Sequence, residues 1–179
     1  MSLASPTAII DAASSLFARH GFARTSVQAV AEASGYSKAG LLHHYPTKVA
    51  LYTAAIDECE AQISAVHDRV AALPVGRDRD ERTVELLVDL SLARPGLASL
   101  LLSTILPNGD EEAPELDRLA DILFSAFGSD GDADSRRLRV TGALVALGVL
   151  SLEARRCDRA SQWRNEIIGT SIDALGQRQ

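Results

Sequence analysis

Between Thr25 and Lys48 the chain carries so many helix-start and helix-stop signals that only two short helices joined by a tight turn fit between them. Thr25 and Gln28 read as a capping box, in which the threonine oxygen accepts from the amide three residues on and the glutamine returns to the cap. Val27, Val30 and Ala31 then face inward until Ser34-Gly35, where glycine suits the left-handed residue that ends a helix. Ser37 caps a second short helix. Pro46 stops it, because the ring removes a donor and disfavours helical geometry at Tyr45. Within that second helix Leu41 and Tyr45, four residues apart, share the buried face beside Tyr36, which leaves Lys38, Ala39, Leu42 and His43 outward. The result is a helix-turn-helix at about residues 25–44.

The rest of the chain continues in the same helical vocabulary. Ser5-Pro6 opens a first helix that carries Ile9, Ile10, Ala13, Leu16 and Phe17 as far as Gly21. Thr47 caps a long fourth helix running to about Leu73. "PVGRDRDE" reads as a linker. Helical patterns follow over Val84 to Arg94, Leu97 to Leu106, Glu115 to Phe127, Ser135 to Arg156 and Ser161 to Gly176, with "PNGDEEAPE" and "GSDGDAD" as polar breaks. No alternating strand pattern of useful length is present, so the expected fold is all-α with about nine helices.

Charge divides the chain unevenly. Residues 1–52 hold Arg19, Arg24, Lys38 and Lys48 against Asp11 and Glu32, a balance of +2, so the remainder carries −8 of the net −6. A mildly basic head of this kind can face phosphates while an acidic body keeps the molecule in solution. Cys59 and Cys157 lie far apart and predict two reduced thiols in a reducing compartment. Neither a basic-then-apolar leader nor an apolar run of membrane-spanning length is found, which predicts a cytoplasmic protein without membrane contact.

Metal and catalytic chemistry find little support. His43 and His44 are adjacent, and helical neighbours one apart point in different directions, so the two cannot grip one metal as an i, i+4 pair would. The acidic runs lack the spacing and the closing glutamate of a calcium loop. Cys59, Glu60 and His67 are the only nucleophile, acid and base near one another. Cys59 does not align with His67 on the helix, which leaves an enzyme as a remote alternative. No cofactor is called for.

The last two helices speak to assembly. "VTGALVALGVLSL" is apolar on nearly every face and dotted with Gly142, Ala143, Ala146 and Gly148, and Trp163, Ile167, Ile168, Ile172 and Leu175 form a stripe on the helix after it. Two such helices from each of two chains make a four-helix interface about a two-fold axis; completing a single chain's core is the other reading.

The segment "TSVQAVAEASGYSKAGLLHHYPTKVALY" resembles the DNA-binding segment of the TetR family of bacterial transcriptional regulators, through Thr25, Ala31, Gly35, Ser37, Leu41, His44, Tyr45 and Lys48. The family's recognition-helix glycine position holds Ala39, with Gly40 next to it, and its frequent tyrosine is Leu42, which removes one phosphate-binding hydroxyl. This resemblance implies a DNA-binding domain at 1–52 and a regulatory and dimerisation domain at 53–179, with the dimer formed by the last two helices on an inverted-repeat operator in double-stranded DNA. Thr25 and Ser26, at a helix N-terminus, are expected to receive a phosphate. Ser37 and Lys38 open the recognition helix, where Lys38 can donate to guanine, Ala39 and Leu42 can meet a thymine methyl, and Gly40 allows a close approach to the groove wall. His43 and His44 can donate to base edge or phosphate, and Lys48 is placed for the backbone.

The same resemblance implies a pocket for a small apolar effector among the middle helices, to which Leu86, Leu87, Leu90, Leu101, Ile105, Leu123 and Phe127 are the candidate lining. The leading expectation is a repressor released from its operator by such a molecule. Control by a protein partner, without a small ligand, is the alternative.

Overall fold

A computed structural model describes residues 6–106, 113–128 and 134–176. Among the described residues there are nine helices and no strand: α1 (Pro6–Arg24), α2 (Val27–Ser34), α3 (Lys38–His44), α4 (Lys48–Val70), α5 (Arg77–Ala93), α6 (Pro95–Ile105), α7 (Pro114–Ser125), α8 (Asp134–Arg156) and α9 (Ala160–Ala174). No described helix is long and apolar enough to cross a membrane. The expected cap at Ser5 and most of the two polar breaks lie outside the described residues.

α1, α2, α3 and the start of α4 form a head, and the remaining helices a body, but the two share one core. Ile9, Phe17, Val30 and Leu41 of the head belong to the same buried cluster as Leu87, Leu119, Leu147 and Ile167. α4 leaves the head at its Thr47 cap, whose hydroxyl accepts from the Ala50 amide at 3.0 Å, and continues without a break into the body. It ends at Val70, one turn earlier than the sequence pattern suggests. α1 continues past Gly21 to Arg24, with non-helical backbone at Gly21 itself.

The segment expected to be a linker is largely helical. The segment "PVGRDRDE" contains the first turns of α5, which starts at Arg77, and Arg79 and Asp80 are buried there. Arg79 donates from Nε to the Ala126 carbonyl at 2.8 Å and from Nη2 to Ser125 at 2.9 Å, satisfying carbonyls that the end of α7 leaves without helical partners. Asp80 takes a two-pronged contact from Arg136 of α8, at 2.6 and 2.9 Å. Charges that look like a solvated connection in the sequence are thus tertiary joints.

Candidate nucleic-acid interface

The helix-turn-helix is built almost as its punctuation requires. Gly35 adopts the left-handed conformation (φ 75°, ψ 17°), and its amide reaches back to the carbonyls of Ala31 and Glu32. Tyr36 N–H donates to Ala31 at 2.9 Å, closing the turn. Ser37 then caps α3 by accepting from the Gly40 amide at 3.0 Å, and Tyr45, in extended conformation before Pro46, ends it. Leu41 is fully buried and is the one residue of α3 that is. Burial of that side chain, worth about 2 kcal/mol, fixes the rotation of a helix too short to be stable alone.

That rotation decides what faces outward. Ser37, Lys38, Ala39, His43 and His44 are exposed, and Gly40 and Leu42 are half-buried. A Cβ at Gly40 would lie 3.1 Å from the Ser37 hydroxyl and 3.6 Å from the Tyr36 ring, so this glycine makes room for the cap on its own side of the helix. The His43 and His44 rings are 5.8 Å apart and tilted 72°, with His44 also meeting Tyr36 edge-on at 5.9 Å. Among the described residues no group of three or more His, Cys, Asp or Glu is gathered as for a metal.

Two of the candidate residues turn inward. The capping box expected at Thr25 is absent: the cap of α2 is Ser26, which accepts from the Ala29 amide at 3.1 Å, while Gln28 donates to Glu32. Thr25 is buried, and its hydroxyl donates to the Gly21 carbonyl at 2.8 Å with that of Leu16 at 3.2 Å. Its one proton serves α1, so its side chain does not offer a phosphate a donor. Lys48 is similarly engaged. Its ammonium donates to the carbonyls of Phe22 (2.8 Å) and Ala23 (3.1 Å) and lies 4.3 Å from the centre of the Phe22 ring. It holds the turn that leads into α2.

The residues that support Lys48 were not picked out from the sequence. One turn further along α4, Tyr52 meets Phe17 at 5.0 Å and Phe22 at 5.2 Å, both edge-on, and its hydroxyl donates to Glu115 at the start of α7 at 3.0 Å. Burial and the carboxylate keep this phenol well above its usual pKa, so it remains a donor. Lys48 and Tyr52, spaced i, i+4, were the visible hint; Phe22 and Glu115 as partners were not.

Lys48→Ala should therefore lower the melting temperature of the DNA-free protein by about 3 °C, corresponding to about 1 kcal/mol for a chain of this size. A lysine used only for phosphate would leave that melting temperature unchanged.

The residues named for other chemistry are also placed. Cys59 is buried and its thiol pushed up to about 12 by burial; Glu60 pairs with Arg118 at 2.7 Å. The His67 ring makes a polar contact with the neighbouring Asp68 at 3.4 Å. Cys59 is therefore an unreactive core residue. Of the candidate pocket residues, Leu87, Leu101, Ile105 and Leu123 line an apolar cavity together with Leu144 and Leu147, but its volume is about 20 Å³. Leu86, Leu90 and Phe127 do not line it. On α5 the cavity sees the Leu87–Ser91 face, a hundred degrees round from Leu86 and Leu90, and Phe127 follows the end of α7.

Residues 9–55 match the tetR family of bacterial regulatory proteins. A TetR-like transcriptional regulator from Rhodococcus sp. RHA1 superposes with a TM-score of 0.59 at 18% identity, covering 96% of this chain and 95% of the other. The fatty acid degradation regulator FadR from Bacillus halodurans superposes with a TM-score of 0.52 at 14% identity, covering 98% of this chain and 100% of its own. No curated protein matches the chain. Residues 9–55 are thus similar to the tetR family of bacterial regulatory proteins, and the chain that carries them has an all-helical fold like that of a TetR-like transcriptional regulator.

Proposed function

We propose that the protein is a sequence-specific DNA-binding regulator of transcription, most simply a cytoplasmic repressor, in which α3 of each of two copies enters the major groove of an inverted-repeat operator. The observation that carries this reading is the Ser37-capped α3, pinned by Leu41 and presenting Lys38, Ala39, His43 and His44 to solvent. In this arrangement Lys38 and the half-buried Leu42 read base edges, the histidines donate to base or phosphate, and Ser26 with the free amides of α2 receives a phosphate. Thr25 and Lys48 set the position of that helix end from behind.

Selection of DNA by the purified protein tests the reading directly. Lys38→Ala should relax preference at one base position at a cost of about 1 to 3 kcal/mol. Selected sequences that show no common motif, or a Lys38→Ala protein with the parent's full preference, would overturn it.

Two copies are joined, in this proposal, through α8 and α9. The support is an apolar surface left uncovered: Leu138 is 70% and Val149 46% exposed on α8, and Trp163 is 37% exposed on α9. Space is open at Gly142 and Gly169, where a partner helix can approach. Sedimentation at micromolar concentration should give a dimer and Val149→Glu a monomer; a monomeric parent chain rules this interface out.

Release by a small apolar effector rests on the α5–α8 cavity, which an occupant would have to widen, since about 20 Å³ holds no more than a water. That same small volume favours the alternative of control by a protein partner. An operator complex that dissociates with purified small molecules decides for the first.

A further inference from the structure

We infer that the crevice between head and body, bounded by the end of α1, the start of α4, α6 and the start of α7, binds a small amphipathic acid: an aromatic or alkyl body bearing one anionic group. Its effect on DNA, though not the binding itself, rests on the regulator reading above.

The crevice has a volume of about 490 Å³, against about 20 Å³ for the cavity between the middle helices, and falls in the range of ligand sites, which favour junctions of this kind. Its floor is apolar and aromatic. Phe17 and Phe22 stack 6.1 Å apart there and Tyr52 meets both edge-on, beside Leu100 and Leu116, giving a flat or chain-like body ring surface to lie against.

The walls differ in charge. Arg19, His20 and Arg24 stand exposed along the α1 side. Arg24 spends only its Nε, on the His20 carbonyl at 3.0 Å, so its terminal nitrogens remain for a ligand. On the α7 side Glu115 already accepts the Tyr52 hydroxyl, and Asp117 adds a second carboxylate. An anionic group is therefore directed to the guanidinium wall and kept from the carboxylate wall.

An occupant would lie against the ring that ties the head to the body. Tyr52 binds Glu115 of α7, and one turn back Lys48 covers Phe22 and holds the carbonyls that precede Thr25 and α2. Displacing Phe22 or Tyr52 alters the support of α2 without touching any base-reading residue.

Calorimetric titration of the full chain with 1-naphthoate, its ammonium analogue 1-naphthylmethylamine and neutral 1-naphthylmethanol tests the proposal, with affinity for the selected operator measured in parallel. One naphthoate should bind per chain, about tenfold more tightly than the ammonium analogue. Thr104→Trp, which fills the crevice from α6, should abolish that binding while operator affinity persists. Saturating naphthoate should weaken the operator complex about tenfold. If Thr104→Trp does not fold, Arg19→Gln with Arg24→Gln serves instead: naphthoate affinity should fall about tenfold and naphthylmethanol affinity stay constant. Undiminished naphthoate binding by either variant, equally tight binding of the ammonium analogue, or no heat with millimolar naphthoate overturns the site. Naphthoate binding that leaves the operator complex intact overturns the coupling alone. A protein that binds naphthoate as described but selects no DNA keeps the site and loses the regulator reading.

Discussion

A Gly96→Ala protein should be less stable than the parent by about 3 kcal/mol, the upper end of what overpacking ordinarily costs. A Cβ at Gly96 would sit 1.8 Å from the Asp11 carbonyl oxygen and 2.6 Å from the carbonyl carbon, and backbone cannot swing aside as a flexible side chain can. α1 and α6 must then move apart. The move also strains the polar joint at the same place, where the Asp11 carboxylate accepts from the Gly96 amide at 3.0 Å and the Leu97 amide at 3.4 Å, supplying the start of α6 with partners. Arg94 lies 3.6 Å from the same carboxylate and donates to Glu58 of α4 at 2.9 Å, so three helices feel one methyl group. Denaturant unfolding should show a lower midpoint, and melting should occur about 9 °C lower. A variant within about 0.5 kcal/mol of the parent, the spread of ordinary surface changes, would mean that this crossing is looser than described.

Asp80→Ala should have a comparable effect for an electrostatic reason. Asp80 is fully buried, and Arg136, its side chain 25% exposed, bonds both carboxylate oxygens and the Phe127 carbonyl at 3.0 Å. Removing the carboxylate leaves a largely buried guanidinium without its counter-ion, and breaking such a pair costs about 3 to 5 kcal/mol. The lower figure is expected here, because Arg136 keeps some water. The paired replacement Asp80→Leu with Arg136→Met should recover most of the loss, since a buried ion pair exchanged for apolar side chains of similar volume is often neutral. Equilibrium unfolding of the single and double variants gives the coupling. A double variant as unstable as Asp80→Ala alone would show that the two residues act separately.

Local punctuation carried most of the fold. Gly35 as the helix-ending residue, Ser37 and Thr47 as caps and Pro46 as a stop all stand where the spacing puts them, because each depends on partners within four residues. Of the outward set on α3, Lys38, Ala39 and His43 were legible for the same reason, because once Leu41 is inward helical geometry orients the rest, whereas Leu42, expected outward, is half-buried. Even the error at Thr25 is small in sequence, one residue from Ser26, yet it reverses the role of a side chain, because two neighbouring hydroxyls are equally good caps and only packing against α1 chooses between them.

What the chain alone determined, then, is its helices, their approximate limits and the face that α3 presents, all set by bonds between near neighbours. Tertiary structure decided the rest. Lys48 reaches a carbonyl 26 residues away, Arg79 one 47 residues away, and Arg136 a carboxylate 56 residues away, and at those separations a charged side chain looks the same in sequence whether it meets water, a phosphate or the end of another helix. The crevice is of this kind too: it is bounded by four helices drawn from residues 17 to 117, and only their packing brings Phe17, Tyr52, Leu100 and Leu116 around one space.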